Sequence, residues 1–261
     1  MSMRSVTAGL ALAASAAASA AWAETTEMRF VTEPLPPYSY ETEGRAAGPM
    51  VDVLQAACAK LAWRCSVTIL PWRRALHIAQ AGEVEGMFSI VTPPYTVRPR
   101  FHVSPPVVEG RYVLLAQVAD ALRFEGDVRL LAGRDVGVYG PSGAEDALKA
   151  LLNGVPGAHA EVESDNGKVL RKLAAGRYGK GGLALVNEGA AQHLLREEGI
   201  TGLQTVGVVR TFGYAFGLNR QRIDAATAAA FAKVLYELCQ SGRTAELLKP
   251  YGLAASACIK P

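Results

Sequence analysis

Ser142 stands three residues before Glu145 at the start of a helix-spaced apolar run, the Ser-x-x-Glu pattern of a capping box. A hydroxyl there closes the first helical turn, and the free N–H groups beside it also receive anions. Trp72 follows Pro71 at the end of an extended run. It offers a wide flat face with little conformational freedom to lose, suited either to an apolar binding wall or to capping a core. Glu33 opens the stiff stretch Glu33-Pro34-Leu35-Pro36-Pro37, where it meets a cationic group or stays a solvated loop acid, and Tyr38 and Tyr40 follow closely. The patterns of covalent chemistry are missing. Gly140-Pro141-Ser142-Gly143 puts Ala144 where a nucleophile elbow needs glycine, and Gly179 to Gly182 lacks both the phosphate-loop spacing and the following hydroxyl residue. His77, His102, His159 and His193 are isolated, and no Cys or His cluster has metal-ligand spacing, so neither a metal nor a cofactor is expected.

Four cysteines allow three pairings. Local geometry favours Cys58–Cys65, because a helix end and the start of the next strand come within bridging range, and it leaves Cys239–Cys258 as the residual pair. The first residues supply the oxidising compartment such bridges need. Arg4, the apolar run Val6 to Ala20, and small residues at Ala21 and Ala23 read as an export leader cleaved after Ala23, too short and alanine-rich for a membrane anchor. No cysteine follows that point for lipid attachment, so the expected location is the periplasm of a Gram-negative cell. Of the 27 Lys and Arg only Arg4 lies in the leader, so 26 face 24 acids in the remainder, a net charge of +2. That balance excludes a general electrostatic footprint for nucleic acid or an anionic membrane.

These groups need a scaffold, and the hydrophobic periodicity predicts one. Met28 to Thr32 is a strand; Met50, Val53, Leu54, Ala57, Cys58 and Leu61 have helical spacing; Val67 and Ile69 form a strand; Arg73 to Ala81 is a helix; Gly86 to Val91 is a strand. Such β-α-β-α-β order implies a parallel sheet with right-handed crossovers, and ligands bind beyond the carboxyl ends of its strands. Those ends are the loops of Glu33 to Tyr40, Pro71-Trp72 and Ser89 to Arg98. A second α/β unit follows: strands at Tyr112 to Gln117, Asp135 to Tyr139, Ala160 to Glu163, Leu183 to Val186 and Leu203 to Val209, with helices at Ala144 to Leu152, Lys168 to Ala175 and Gln192 to Glu198. Tyr214 to Leu218 is one more strand, and Ala225 to Gln240 a long helix.

The ordered set Pro36-Pro37-Tyr38-Ser39-Tyr40, Gly48 to Asp52, Ala81 to Gly86, Arg98 with Ser104-Pro105-Pro106, Val136-Gly137-Val138, Ala175-Gly176-Arg177 and Ser241 to Thr244 resembles the family-3 bacterial extracellular solute-binding proteins. The Cys58–Cys65 spacing also looks like the disulfide of the histidine- and lysine/arginine/ornithine-binding members. The resemblance implies a type II periplasmic-binding fold of class α/β, with two lobes, each a mostly parallel sheet flanked by helices. Residues 24–116 and 213–261 would form one lobe and 117–212 the other, with hinge crossings near Leu115 to Val118 and Arg210 to Gly213. It further implies Arg98 as the fork that clamps a ligand carboxylate, with Arg100 competing for the role. Ser89 and Thr92 would lie beside it, Trp72 would pack on the ligand, and Ser142 would bind at its helix turn. Two departures stand out. Leu35 replaces the stacking aromatic, and Asn187 falls where the family has the acid that grips an α-ammonium, which disfavours ordinary α-amino acids unless Glu188 substitutes. The expectation is a monomeric, non-enzymatic binding protein without cofactor. It would hold a small polar or carboxylate-bearing solute between closing lobes for an inner-membrane ABC permease. A lyase like cyclohexadienyl dehydratase, with Glu33 or Glu188 as its acid, and a sensory or accessory module are the alternatives.

Overall fold

The computed structural model describes residues 26–92 and 99–261; the expected leader and Arg98 lie outside them. The chain opens with β1 (Glu27–Thr32), a hairpin of β2 (Tyr40–Thr42) and β3 (Arg45–Ala47), α1 (Pro49–Lys60), β4 (Arg64–Ile69), α2 (Trp72–Gln80) and β5 (Gly86–Thr92). β6 (Phe101–Val103) and β7 (Val108–Gln117) follow. Then come β8 (Asp135–Tyr139), α3 (Gly143–Leu152), β9 (His159–Glu163), α4 (Asn166–Ala174), β10 (Leu183–Asn187) and α5 (Glu188–Glu197). β11 (Leu203–Asn219), α6 (Ala225–Gln240) and α7 (Arg243–Leu248) complete the order.

One curled sheet runs β4-β1-β5-β11-β7-β10-β8-β9, with β6 also on β11. Both ends are parallel, β1 pairing with β4 and β5, and β8 with β10 and β9. The long strands β7 and β11 join them in antiparallel pairing. This is the mixed α/β architecture expected, with the short strands β2, β3 and β6 in addition and two expected strands merged. Leu203 to Val209 and Tyr214 to Leu218 are a single strand of 17 residues rather than two. Arg210 and Thr211 interrupt the apolar pattern, but their backbone still pairs with Tyr112 and Arg111, so the ladder carries the strand through.

The first helix buries the face its spacing foretold. Pro49 starts α1, where its missing N–H costs nothing, and Met50, Val53, Leu54, Ala57 and Cys58 turn inward. α6 lays Phe231, Val234, Leu235 and Leu238 on the sheet, and the Phe231 ring meets those of Phe30, Trp63 and Phe216. At the other end Val169, Leu170 and Leu173 of α4 pack on Val113, Leu115, Ala184 and Val186.

Both expected disulfides are present, Cys58–Cys65 with Cα atoms 6.2 Å apart and Cys239–Cys258 with 5.6 Å. The first staples α1 to β4 and the second ties the C-terminal tail to α6. Replacing Cys58 and Cys65 together by serine is expected to lower stability by about 2 kcal/mol, the loop-entropy value for so short a closure. Urea unfolding of the double variant reads this as a shifted midpoint with little change in slope.

Candidate functional site

A cavity of about 310 Å³ opens where the carboxyl ends of β1 and β5 face α3 and the carboxyl ends of β8 and β10. From the first half it is walled by Glu33, Leu35, Trp72, Leu76, Ser89, Ile90 and Val91. The second half contributes Tyr139, Pro141, Ser142, Asp146, Asn166 and Asn187, and the two long strands add Tyr112, Arg210 and Tyr214.

Trp72 is the first residue of α2 and Leu76 follows one turn later, so a single helical edge supplies the apolar floor. Ser89 is placed by a bulge. Ile90 pairs with Ala215 and Phe88 with Phe216, which leaves Ser89 unpaired with φ of +66°. A left-handed serine inside a strand is strained, and bulges commonly re-aim a side chain toward a site. Its hydroxyl lies 3.1 Å from that of Thr32.

Glu33 is only 8% exposed. Burial pushes its carboxyl up to about 7, although the Tyr139 hydroxyl, donating to Oε2 at 3.2 Å, favours the ionised form. Ser142 is the N-cap of α3. Its hydroxyl accepts from Ala144 N–H at 3.2 Å and Glu145 N–H at 3.3 Å, and donates to the Tyr139 carbonyl at 2.6 Å. Glu145 bonds Lys149 at 2.6 Å, so the capping box is half formed. Asn187 caps α5, accepting from Ala190 N–H at 2.8 Å. It also accepts the Tyr38 hydroxyl at 3.1 Å and donates to the Tyr214 hydroxyl at 3.1 Å.

Two of these bonds cross the cavity's flanks, Tyr139 to Glu33 and Tyr38 to Asn187. The approach is close: a Cβ on Gly189 would stand 2.5 Å from the Tyr38 hydroxyl, so any larger residue beside Asn187 would force the ring away. Burial pushes Tyr38 up to about 12 and raises Tyr112, Tyr139 and Tyr214, with nearby Glu33 adding to the last three. All four therefore remain protonated near neutral pH.

The structure thus brings together Glu33, Trp72, Ser89, Ser142 and Asn187 from the residues expected at the site, and leaves others aside. Tyr38 is buried behind the cavity, edge-on to Tyr214 at 4.9 Å. Thr92 is off the lining, its hydroxyl donating to the Gly213 carbonyl at 3.0 Å. Arg98 is outside the described residues. Arg100 donates to the Gln80 carbonyl at 3.3 Å, away from the cavity. Glu188 pairs with Arg111 at 2.6 Å and, with Tyr40, lines a separate groove beside Tyr251. It does not replace Asn187. Sequence reasoning missed Tyr112, Tyr139, Asp146, Asn166, Arg210 and Tyr214. The nearest signal was that Tyr139 and Asn187 end strands at the edge where ligands bind.

Comparison with curated proteins gave no match. Among solved structures, a histidine kinase sensor domain with similarity to periplasmic binding proteins superposes with TM-score 0.74 at 18% identity, covering 89% of this chain and 98% of that one. An ancestral arginine-binding protein bound to arginine gives 0.73 at 17%, covering 86% and 97%. The arginine-, lysine-, histidine-binding protein ArtJ from Geobacillus stearothermophilus gives 0.71 at 17%, covering 87% and 95%. At such identities these structures share the fold. The family model of the bacterial extracellular solute-binding proteins, family 3, matches residues 28–254, most of the chain including every described residue of the cavity. With the fold, the cavity and that match in agreement, the chain belongs to the family 3 bacterial extracellular solute-binding proteins.

Proposed function

We propose that the protein captures a small polar or carboxylate-bearing solute in this cavity by closing two lobes over it, and hands the solute to an inner-membrane ABC permease. The observation that carries the reading is the cavity itself, walled from both ends of the sheet and flanked by the crossing bonds Tyr139–Glu33 and Tyr38–Asn187. β7 already pairs with β10 from Tyr112 onward, so we place the hinge at Gly110 to Tyr112 and Arg210 to Gly213. These are the stretches where both long strands pass between the lobes, and bending there would part the crossing bonds. Arg98 keeps its expected role as the carboxylate fork, and residues 1–23 that of the leader. No helix among the described residues is long and apolar enough to cross a membrane.

The test is a thermal-shift screen of amino acids, polyamines, oxo acids and aromatic acids, with each hit carried into small-angle scattering. Capture predicts a rise in melting temperature together with a measurable contraction of the protein. A hit without contraction, or no hit across all classes, would sink it.

One observation favours a second reading. Glu33 is a buried carboxyl in the cavity with a midpoint near neutrality, the property a general acid needs. A lyase of the cyclohexadienyl-dehydratase kind would use it. Turnover of prephenate or arogenate by the purified protein would favour that reading over capture.

A further inference from the structure

The polarity of the cavity wall at Asn187 is set by the backbone. Ala190 N–H donates to Oδ1 at 2.8 Å, which fixes the amide orientation, since a flipped amide would set donor against donor. The Tyr38 hydroxyl donates to the same oxygen at 3.1 Å, so both of its lone pairs are used. The amide nitrogen gives one hydrogen to the Tyr214 oxygen at 3.1 Å. Its second hydrogen has no acceptor among the described residues, and Asn187, 4% exposed, lines the cavity. Tyr214 is in the same position. Its oxygen accepts from Asn187, and its own proton finds no acceptor among the described residues although the ring lines the cavity. Among the described residues this corner therefore presents two buried donors, against which the one remaining acceptor is the second lone pair of the Tyr214 oxygen.

Resting on the capture reading above, we propose that the ligand group seated against Asn187 and Tyr214 is a hydrogen-bond acceptor, so that the captured solute is an oxo or hydroxy acid rather than the amino acid of the same skeleton. An ammonium in that corner would be stripped of water and set against N–H and O–H hydrogens, with only one lone pair of the Tyr214 oxygen to receive its three hydrogens. A carbonyl or hydroxyl oxygen satisfies both donors at once. Glu33 and Asp146 are the carboxylates on the lining. Glu33 already holds the Tyr139 hydroxyl, and neither is a hydrogen-bond partner of Asn187 or Tyr214. The wall of Trp72, Leu76, Ile90 and Val91 suits a hydrocarbon or aromatic tail.

Isothermal titration of the exported protein with matched triplets tests this. The probes are 4-methyl-2-oxopentanoate, 2-hydroxy-4-methylpentanoate and leucine, then phenylpyruvate, phenyllactate and phenylalanine. In whichever skeleton fits, the oxo and hydroxy acids are expected to bind at least about tenfold more tightly than the amino acid, the worth of one well-made buried hydrogen bond. Asn187→Asp keeps the helix cap while removing both amide hydrogens, and Tyr214→Phe removes the other donor without changing the ring. Each variant should erase most of that preference, with melting curves confirming that it folds. Equal or tighter binding of the amino acid, binding by none of the six, or an unchanged preference in both variants overturns the inference. An amino acid that binds and contracts the protein would leave capture standing and remove only the oxo-acid assignment. Failure of the wider screen removes capture itself.

Discussion

Raising the pH from about 5 to about 8 is expected to weaken solute binding on the order of a hundredfold, and Glu33→Gln is expected to abolish most of that dependence. The argument starts from the buried carboxyl. In this structure, which the capture reading takes as the closed form, its midpoint is raised by burial to about 7, against 4.5 for an ordinary glutamate. Opening the lobes would return it to water and to the ordinary value. The closed form thus binds more protons between those two values. Its stability relative to the open form is highest below 4.5 and declines as pH climbs to about 7, where the cost of a buried charge becomes complete. The difference amounts to at most about 3 kcal/mol, partly offset by water entering the cleft. Glutamine has the same shape, still accepts the Tyr139 hydroxyl, and carries no proton to lose. Titration calorimetry across this range, with a ligand whose own carboxylate stays ionised throughout, measures the slope. If affinity instead rose with pH in the wild type and the rise vanished in Glu33→Gln, an ammonium would be sitting on the ionised carboxylate, and the account of Glu33 would be wrong.

The scaffold was legible because burial enforces period. Met50, Val53, Leu54 and Ala57 can share one side only of a helix, and the buried runs of β5 and β10, short and entered through glycine, fit strands inside a sheet. The cavity was less so. Tyr112 and Tyr214 sit in apolar strands far apart in sequence, where an aromatic residue reads as core. Only the antiparallel register of β7 on β11 sets them on one wall. The bulge at Ser89 has no sequence signature at all, since nothing in Phe88-Ser89-Ile90 demands a left-handed residue. Asn187 was legible as a departure from an acid, but its meaning was not. The resemblance implies a lost carboxylate, whereas the structure shows an amide held by Ala190, Tyr38 and Tyr214, with its oxygen taken up by two of those bonds.

Glu85→Ala is expected to cost about 3 kcal/mol at neutral pH, the low end for removing one partner from a buried ionic cluster. Glu85 precedes β5 and is almost wholly buried. Its Oε2 accepts from Arg29 N–H at 2.9 Å and Nε at 3.0 Å, and its Oε1 from Arg29 Nη2 at 3.1 Å and from Arg222 Nε. One carboxylate thereby locks β1 to the turn that follows β11. Burial alone would raise this carboxyl, but the bonds from Arg29 and Arg222 outweigh it and hold it down to about 2. The low end of the energy range applies because the arginine side chains are 50% and 40% exposed and recover hydration when freed. The depressed midpoint fixes the sign of the pH dependence. The cluster contributes fully above 4.5, the ordinary glutamate value, and its contribution is lost as pH falls toward about 2. Urea unfolding at about pH 7 and again at about pH 3 should show the gap between wild type and Glu85→Ala narrowing by roughly half. Glu85→Gln, which keeps acceptors but no charge, should fall between the two. A variant within about 0.5 kcal/mol of wild type at neutral pH would mean the arginines gain in water what they lose from the carboxylate. The join between β1 and β11 would then rest on their shared pairing with β5 and on the Phe30, Phe216 and Phe231 rings.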